Sequence, residues 1–321
     1  MSHKQVGQFG FEDALVASHK GRSDRLARID GLLDWSRFEA ELSGFYPSRR
    51  GEPGYPPLVM FKVVLLQRWY ALSDPGMEEA LADRLSFRRF VGLSLSDPTP
   101  DHTTIFRFRE RLQSDGLLAA LCDELARQLD AHGVVLRQGT LIDASLVSSA
   151  ARRPRMKEGK TSRVDPDARF GTNNERRRYD FGYKLHVAVD QGSGLVRGVR
   201  LSPANRQEVD FARELVQGDE DAVYADRAYD AKHLRAHLAQ RGIADGIMRR
   251  ARAGHPLSPD EVAWNHKLVA RRRPVEKVFG TFKRGYRLDR MPYFSMTRNL
   301  VAVTLACFAY NLRRLDALVV A

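Results

Sequence analysis

Cysteine is scarce in this chain: two in 321 residues, Cys122 and Cys307, both in apolar, helix-like surroundings. They form no C-x-x-C pair, which weakens a zinc reading, and they predict buried free thiols in a reducing cytoplasm and no disulfide framework. Long hydrophobic runs are lacking too. The longest, Leu300 to Tyr310, is interrupted by Thr304 and closed by Asn311-Leu312-Arg313-Arg314, too short to span a bilayer. No apolar core follows Met1-Ser2-His3-Lys4-Gln5, so the sequence predicts no export and no membrane partner. Acids are the minority charge: 40 Asp and Glu face 52 Lys and Arg, a formal +12. That balance predicts a polyanionic partner, nucleic acid before an anionic membrane, with passive ribosome-like binding as the plainer version. What is present in quantity is apolar residue, 43% of the chain, enough to exclude disorder and to furnish about two domains with cores.

Residues 1–133 read as an all-helical DNA-binding region. After a Gly/Pro-rich break at Gly51 to Pro57, a helix starts on Pro57 and carries Val59, Phe61, Val64, Leu65 and Trp69 at helical spacing. Ser73-Asp74-Pro75 caps a second helix and Asp101 precedes a third, His102 to Leu112. On this third helix Ile105, Phe108 and Leu112 form an inward strip, while Thr103, Arg107, Glu110 and Arg111 share another arc. Hydroxyl and guanidinium groups there suit phosphates or base edges. The series resembles a helix-turn-helix; a plain bundle with solvated arginines fits the same residues. A helix from Leu117 to His132, stopped by Gly133, closes the region.

From residue 134 to 321 the pattern turns strand-like. Gly139 to Val147 reads as a buried strand with Asp143 inside it, an expensive place for an acid unless it is paired or holds a cation. Ala150 to Arg178 is polar and arginine-rich without apolar periodicity, and reads as a mobile basic loop. Tyr183 to Asp190 alternates strictly, so Lys184 and His186 share a face; Gln191 to Gly194 turns the chain into a third strand. A helix, a short strand ending on Asp226, a second helix, a strand near Ile243 to Met248 and a long helix follow. This βββαβαβα order predicts an α/β, RNase H-like domain with a mixed five-stranded sheet. In it Asp143 and Asp226 lie on adjacent strands, and the helix through Arg271 to Arg284 brings Glu276 over both. Arg272, Glu276 and Lys283 return to nearly one azimuth at about 100° per residue, and Val275, Val278, Phe279 and Phe282 give the packing face.

Three carboxylates, Asp143, Asp226 and Glu276, are the minimal oxygen set for two Mg²⁺ ions some ~3.5–4 Å apart, with Asp143 bridging and Mn²⁺ able to substitute. Such a pair serves phosphodiester cleavage. Each piece has a plainer reading: Asp143 as a turn acid, Asp226 as a helix cap, the 271–284 helix as a solvated surface laced with ion pairs.

Several segments resemble bacterial insertion-sequence transposases of the DDE class, in the insertion sequence five branch related to the group with a Y-R-E-K signature. They are Leu141-Ile142-Asp143-Ala144-Ser145, Gly182-Tyr183-Lys184-Leu185-His186, Ser202-Pro203-Ala204-Asn205, Tyr224-Ala225-Asp226-Arg227-Ala228-Tyr229, and Arg272, Glu276 and Lys283 at signature spacing. Tyr55 to Lys62 and Asp101 to Arg109 are similar to that family's N-terminal region. The resemblance implies Asp143, Asp226 and Glu276 as catalytic and metal-holding residues, with Arg272 and Lys283 on DNA; Val269 stands where the signature has tyrosine. It implies binding of double-stranded inverted repeats and target DNA by the N-terminal helices and the basic loop. Lys184, His186, Thr103, Arg107, Arg111, Arg176, Arg177 and Arg178 are the expected contacts. A homodimer on DNA and action at the bacterial nucleoid complete the expectation. A DNA-binding regulator that no longer cuts, or a nuclease without strand transfer, stands as the alternative.

Overall fold

The structure is a computed structural model that describes residues 3–11, 13, 25–46, 53–113, 116–155, 161–173 and 178–320. The chain divides into two compact units. One comprises Met1–Ala131 with Phe308–Ala321, the other His132–Cys307. The sequence put the boundary at 133/134 and the whole C-terminal helix in the second part. The structure differs: from Phe308 onward that helix belongs to the first unit, because the Phe308 ring packs edge-on against Phe38 (5.7 Å) and Phe61 (5.3 Å).

The first unit contains α1 (Arg25–Gly31), α2 (Trp35–Glu41), α3 (Pro57–Trp69), α4 (Asp74–Asp83), α5 (Leu85–Val91), α6 (His102–Arg111) and α7 (Leu117–Ala131). α1 and α2 are separated at Asp34, whose carboxylate accepts from the Ser36 amide and caps α2. α3 buries nearly its whole length. Asp101 and Ser73 cap α6 and α4 as their residue types predict. Arg109, buried on α6, clamps Asp74 at 2.6 and 2.9 Å and ties α6 to α4.

The second unit is built on β1 (Thr140–Ser148), β2 (Arg169–Asn173), β3 (Arg178–Asp190), β4 (Val196–Pro203), β5 (Ala222–Ala225) and β6 (Ala244–Ile247). β3 pairs antiparallel with β1 on one edge and with β2 and then β4 on the other. β1, β5 and β6 run parallel. The sheet is thus mixed, as expected, but six-stranded where five were expected. The additional strand, β2, lies inside the interval read as a loop; its Phe170 ring meets Phe181 of β3 at 5.1 Å, an apolar anchor too short for periodicity to show. Residues 156–160 and 174–177 of that interval, Arg176 and Arg177 among them, lie outside the described residues.

After β4 come a 3₁₀ turn (Glu208–Phe211) and α8 (Ala212–Leu215). A second 3₁₀ turn (Arg227–Tyr229) and α9 (Lys232–Gln240) link β5 to β6. Val209, Ala212, Leu215, Tyr229, Leu234 and Leu238 pack on Val223, Ala225 and Ile247 in one core. α10 (Pro259–Gly285) starts well ahead of Arg271, from a capping box in which Ser258 and Glu261 satisfy each other's amides. It buries Val275, Val278, Phe279 and Phe282, the expected face, and packs on β1 and β5. α11 (Met296–Val319) ends the fold.

Candidate active site

Strand register alone brings the first two acids together. β1 and β5 are parallel with Ile142 opposite Ala225, so the next residues, Asp143 and Asp226, leave the pair side by side. Asp226 directly follows β5 and caps the 3₁₀ turn after it, accepting from the Ala228 amide at 2.7 Å. The cap reading and the site reading of this residue therefore both hold geometrically.

The third carboxylate is Glu208, from the turn after β4. Asp143, Glu208 and Asp226 each offer an oxygen within 4.8 Å of the others, the one such group of metal-capable side chains among the described residues. Two cations of the chain already lean on it. Arg272 of α10 donates from Nη2 to Asp143 Oδ2 at 2.9 Å, and Lys184 of β3 lies 3.2 Å from Glu208 while also donating to the Arg206 carbonyl. All four side chains are partly shielded from solvent.

Burial pushes the Asp143 carboxyl up to about 7; Arg272 opposes the rise, and the charges of Asp226 and Glu208 add to it. Burial likewise raises Glu208, against the pull of Lys184 and with the push of Asp226. Acids this close repel one another, and two side-chain cations relieve only part of that. The oxygen-only donor set suits a hard divalent cation. Around it, the Tyr229 hydroxyl and Arg272 Nε are buried without a hydrogen-bond partner. The residues present fit such an ion.

Two family models match the chain: residues 14–111 fit "Transposase domain (DUF772)" and residues 136–312, more than half of the chain, fit "Transposase DDE domain". The chain belongs to the DDE transposase family. It is an insertion-sequence transposase, an enzyme that cleaves DNA and transfers the strands, and the family works with divalent metal ions.

The transposase brings some of the sequence-predicted residues to this site and leaves others away from it. Asp143, Asp226, Arg272 and Lys184 converge. Glu276, one helical turn beyond Arg272 on α10, is exposed and is not one of the three clustered acids. Lys283 is half-buried in the last turn of α10. Arg272, expected on DNA, here touches Asp143 directly.

His186, expected at the DNA, is instead fully buried. Its ring lies on Phe211 at 4.6 Å, Nε2 shares a 2.8 Å hydrogen bond with Ser202 Oγ, and burial drives its pKa down to about 3. A neutral, enclosed imidazole presents nothing to a phosphate.

Thr103, Arg107 and Arg111 are exposed on α6, in the other unit, with Arg111 over the rings of Phe45 and Tyr46. Arg178 opens β3. His233 and His237 on α9 do have the i, i+4 spacing of zinc ligands, but no third ligand joins them among the described residues. The sequence reading missed Glu208. Its signal was position: an acid three residues past Asn205, the end of the Ser202–Asn205 motif, and just before the apolar Val209.

Proposed function

We propose that this transposase binds the terminal inverted repeats of a mobile element of the insertion sequence five branch, and that Asp143, Asp226 and Glu276 catalyse cleavage and joining with two Mg²⁺ ions. Mn²⁺ substitutes. The observation that carries the reading is the β1/β5 register, which sets Asp226 beside Asp143 with Arg272 of α10 against them. The strand order β4-β3-β1-β5-β6, with β3 antiparallel to β1, supports an RNase H-like catalytic domain.

Bound there, divalent ions neutralise charge at the scissile phosphate and lower the cost of ionising the attacking hydroxyl. The chain's own groups do the rest. Asp143 is fixed by β1, with Oδ1 held by the Ala144 amide at 2.8 Å. Asp226 is fixed by its cap. Arg272 leaves Asp143 for a DNA phosphate when the duplex arrives, exchanging one oxyanion for another. Lys283, on the same helix stripe, takes a neighbouring phosphate, and Glu276 turns toward the acids from between them.

The exposed arc of α6, Thr103, Arg107 and Arg111, reads the repeats, and Arg176 to Arg178 add phosphate contacts. Joining two ends calls for a dimer on DNA. The experiment is single-turnover cleavage of inverted-repeat DNA with Mg²⁺. Asp143→Asn, Asp226→Asn and Glu276→Gln should each abolish nicking while gel-shift binding persists. Retained nicking in any one removes that residue, and binding without nicking by the parent protein supports a non-cutting regulator.

A further inference from the structure

The resemblance supplies three acids, yet the acids clustered in the structure are a different three. Glu276 lies exposed, whereas Glu208 contributes an oxygen within 4.8 Å of both Asp143 and Asp226. Glu208 is held as a positioned side chain is held: Lys184 lies 3.2 Å from its carboxylate, and the same ammonium is anchored on the Arg206 carbonyl at 3.0 Å.

A second feature points to a guest independently of the acids. Tyr229 is wholly buried, its hydroxyl has no hydrogen-bond partner, and it lies under the charges of Glu208, Asp143 and Asp226. A buried hydroxyl left without a partner is destabilising, and a hydrated cation carries the oxygen acceptor it needs. The carboxylate oxygens gathered in the DNA-free protein are these three, and Glu276 is not among them.

We infer that Glu208 is a metal ligand, and that the first divalent cation is taken up between Asp143, Glu208 and Asp226 before DNA binds, without Glu276. The inference rests on the catalytic site proposed above and adds to it a fourth carboxylate and an order of assembly. Lys184 is a positioning residue for Glu208.

The test is Mn²⁺ binding to the full-length, DNA-free protein, followed by the electron paramagnetic resonance signal of free Mn²⁺, with circular dichroism to confirm folding. Glu208→Gln should weaken Mn²⁺ binding at least ~10-fold, the lower end of what loss of a group at a metal site costs. Glu208→Asp should recover part of it, and Glu276→Gln should bind as the parent does. If Glu208→Gln binds Mn²⁺ normally while Asp143→Asn and Asp226→Asn do not, Glu208 is no ligand and the catalytic reading stands. If Asp143→Asn and Asp226→Asn also bind normally, the catalytic site itself is misplaced. Equal losses in Glu276→Gln and Glu208→Gln overturn the order of assembly.

Discussion

Arg272 shows how one side chain can serve two states. Its guanidinium is bound to Asp143 at 2.9 Å while Nε has no partner, so its hydrogen-bonding capacity is only partly used. A cation entering the acid cluster competes with it for the Asp143 carboxylate, whereas a phosphate competes with the carboxylate for the same guanidinium. Arg272→Ala should therefore tighten Mn²⁺ binding in the absence of DNA and yet lower single-turnover cleavage by on the order of 10²–10³, the usual loss when a donor to developing charge is removed. Arg272→Lys should restore little of the cleavage, since a point charge does not reproduce the planar fork. Weaker Mn²⁺ binding in Arg272→Ala would mean that the guanidinium supports the cluster instead of competing with it. Helical offsets put Arg272, Glu276 and Lys283 on one stripe without bringing Glu276 into the acid cluster, whereas at this scale Asp143 was legible, as an acid inside an apolar strand. Glu208 was not, because its partner Lys184 lies on another strand and its turn has no periodicity to read.

Among the elements, strict alternation made β3 readable, a buried apolar run β1 and the Gln191–Gly194 turn β4, and the inward face of α10 matched its spacing residue for residue. β2 escaped because five residues with one aromatic anchor carry almost no pattern. The end of α11 escaped for a different reason: an apolar stripe shows that a helix is buried, not which core buries it. Asp316 makes the point, since it is nearly inaccessible and accepts from Arg25 (2.9 Å) and Arg28 (3.0 Å) of α1, almost three hundred residues upstream. Burial would raise this carboxyl, but the hydrogen bonds and charges of Arg28 and Arg25 prevail and hold it below its ordinary value. A depressed folded pKa contributes stability that is fully present above the unfolded value of about 3.9 and is lost as pH falls through the lower folded one. Asp316→Asn should cost about 1–3 kcal/mol at neutral pH. The difference from the parent should shrink below about pH 4, as measured by urea unfolding across pH. A penalty that does not change with pH would assign the effect to packing and not to the ion pairs.

For the whole molecule, the governing quantity is the +12 charge on a chain none of whose described helices is long and apolar enough to cross a membrane. Charge of this kind acts through counterion release, so its signature is a slope and not an affinity. If the transposase neutralises some 6–10 phosphates, its affinity for inverted-repeat DNA should fall by about 10³–10⁵ between ~50 and ~200 mM salt. Each exposed guanidinium on α6 has a definable share of that slope. Arg107→Ala should flatten the log–log plot by about one unit and weaken repeat and unrelated DNA alike if it contacts phosphate. It should instead cost roughly 1–3 kcal/mol on the repeat alone if it reads a base edge. Thr103→Ala, which removes no charge, leaves the slope unchanged under either role and separates register from electrostatics. An Arg107→Ala protein with the parent's slope and the parent's sequence preference would take α6 off the DNA and return the first unit to a plain helical bundle.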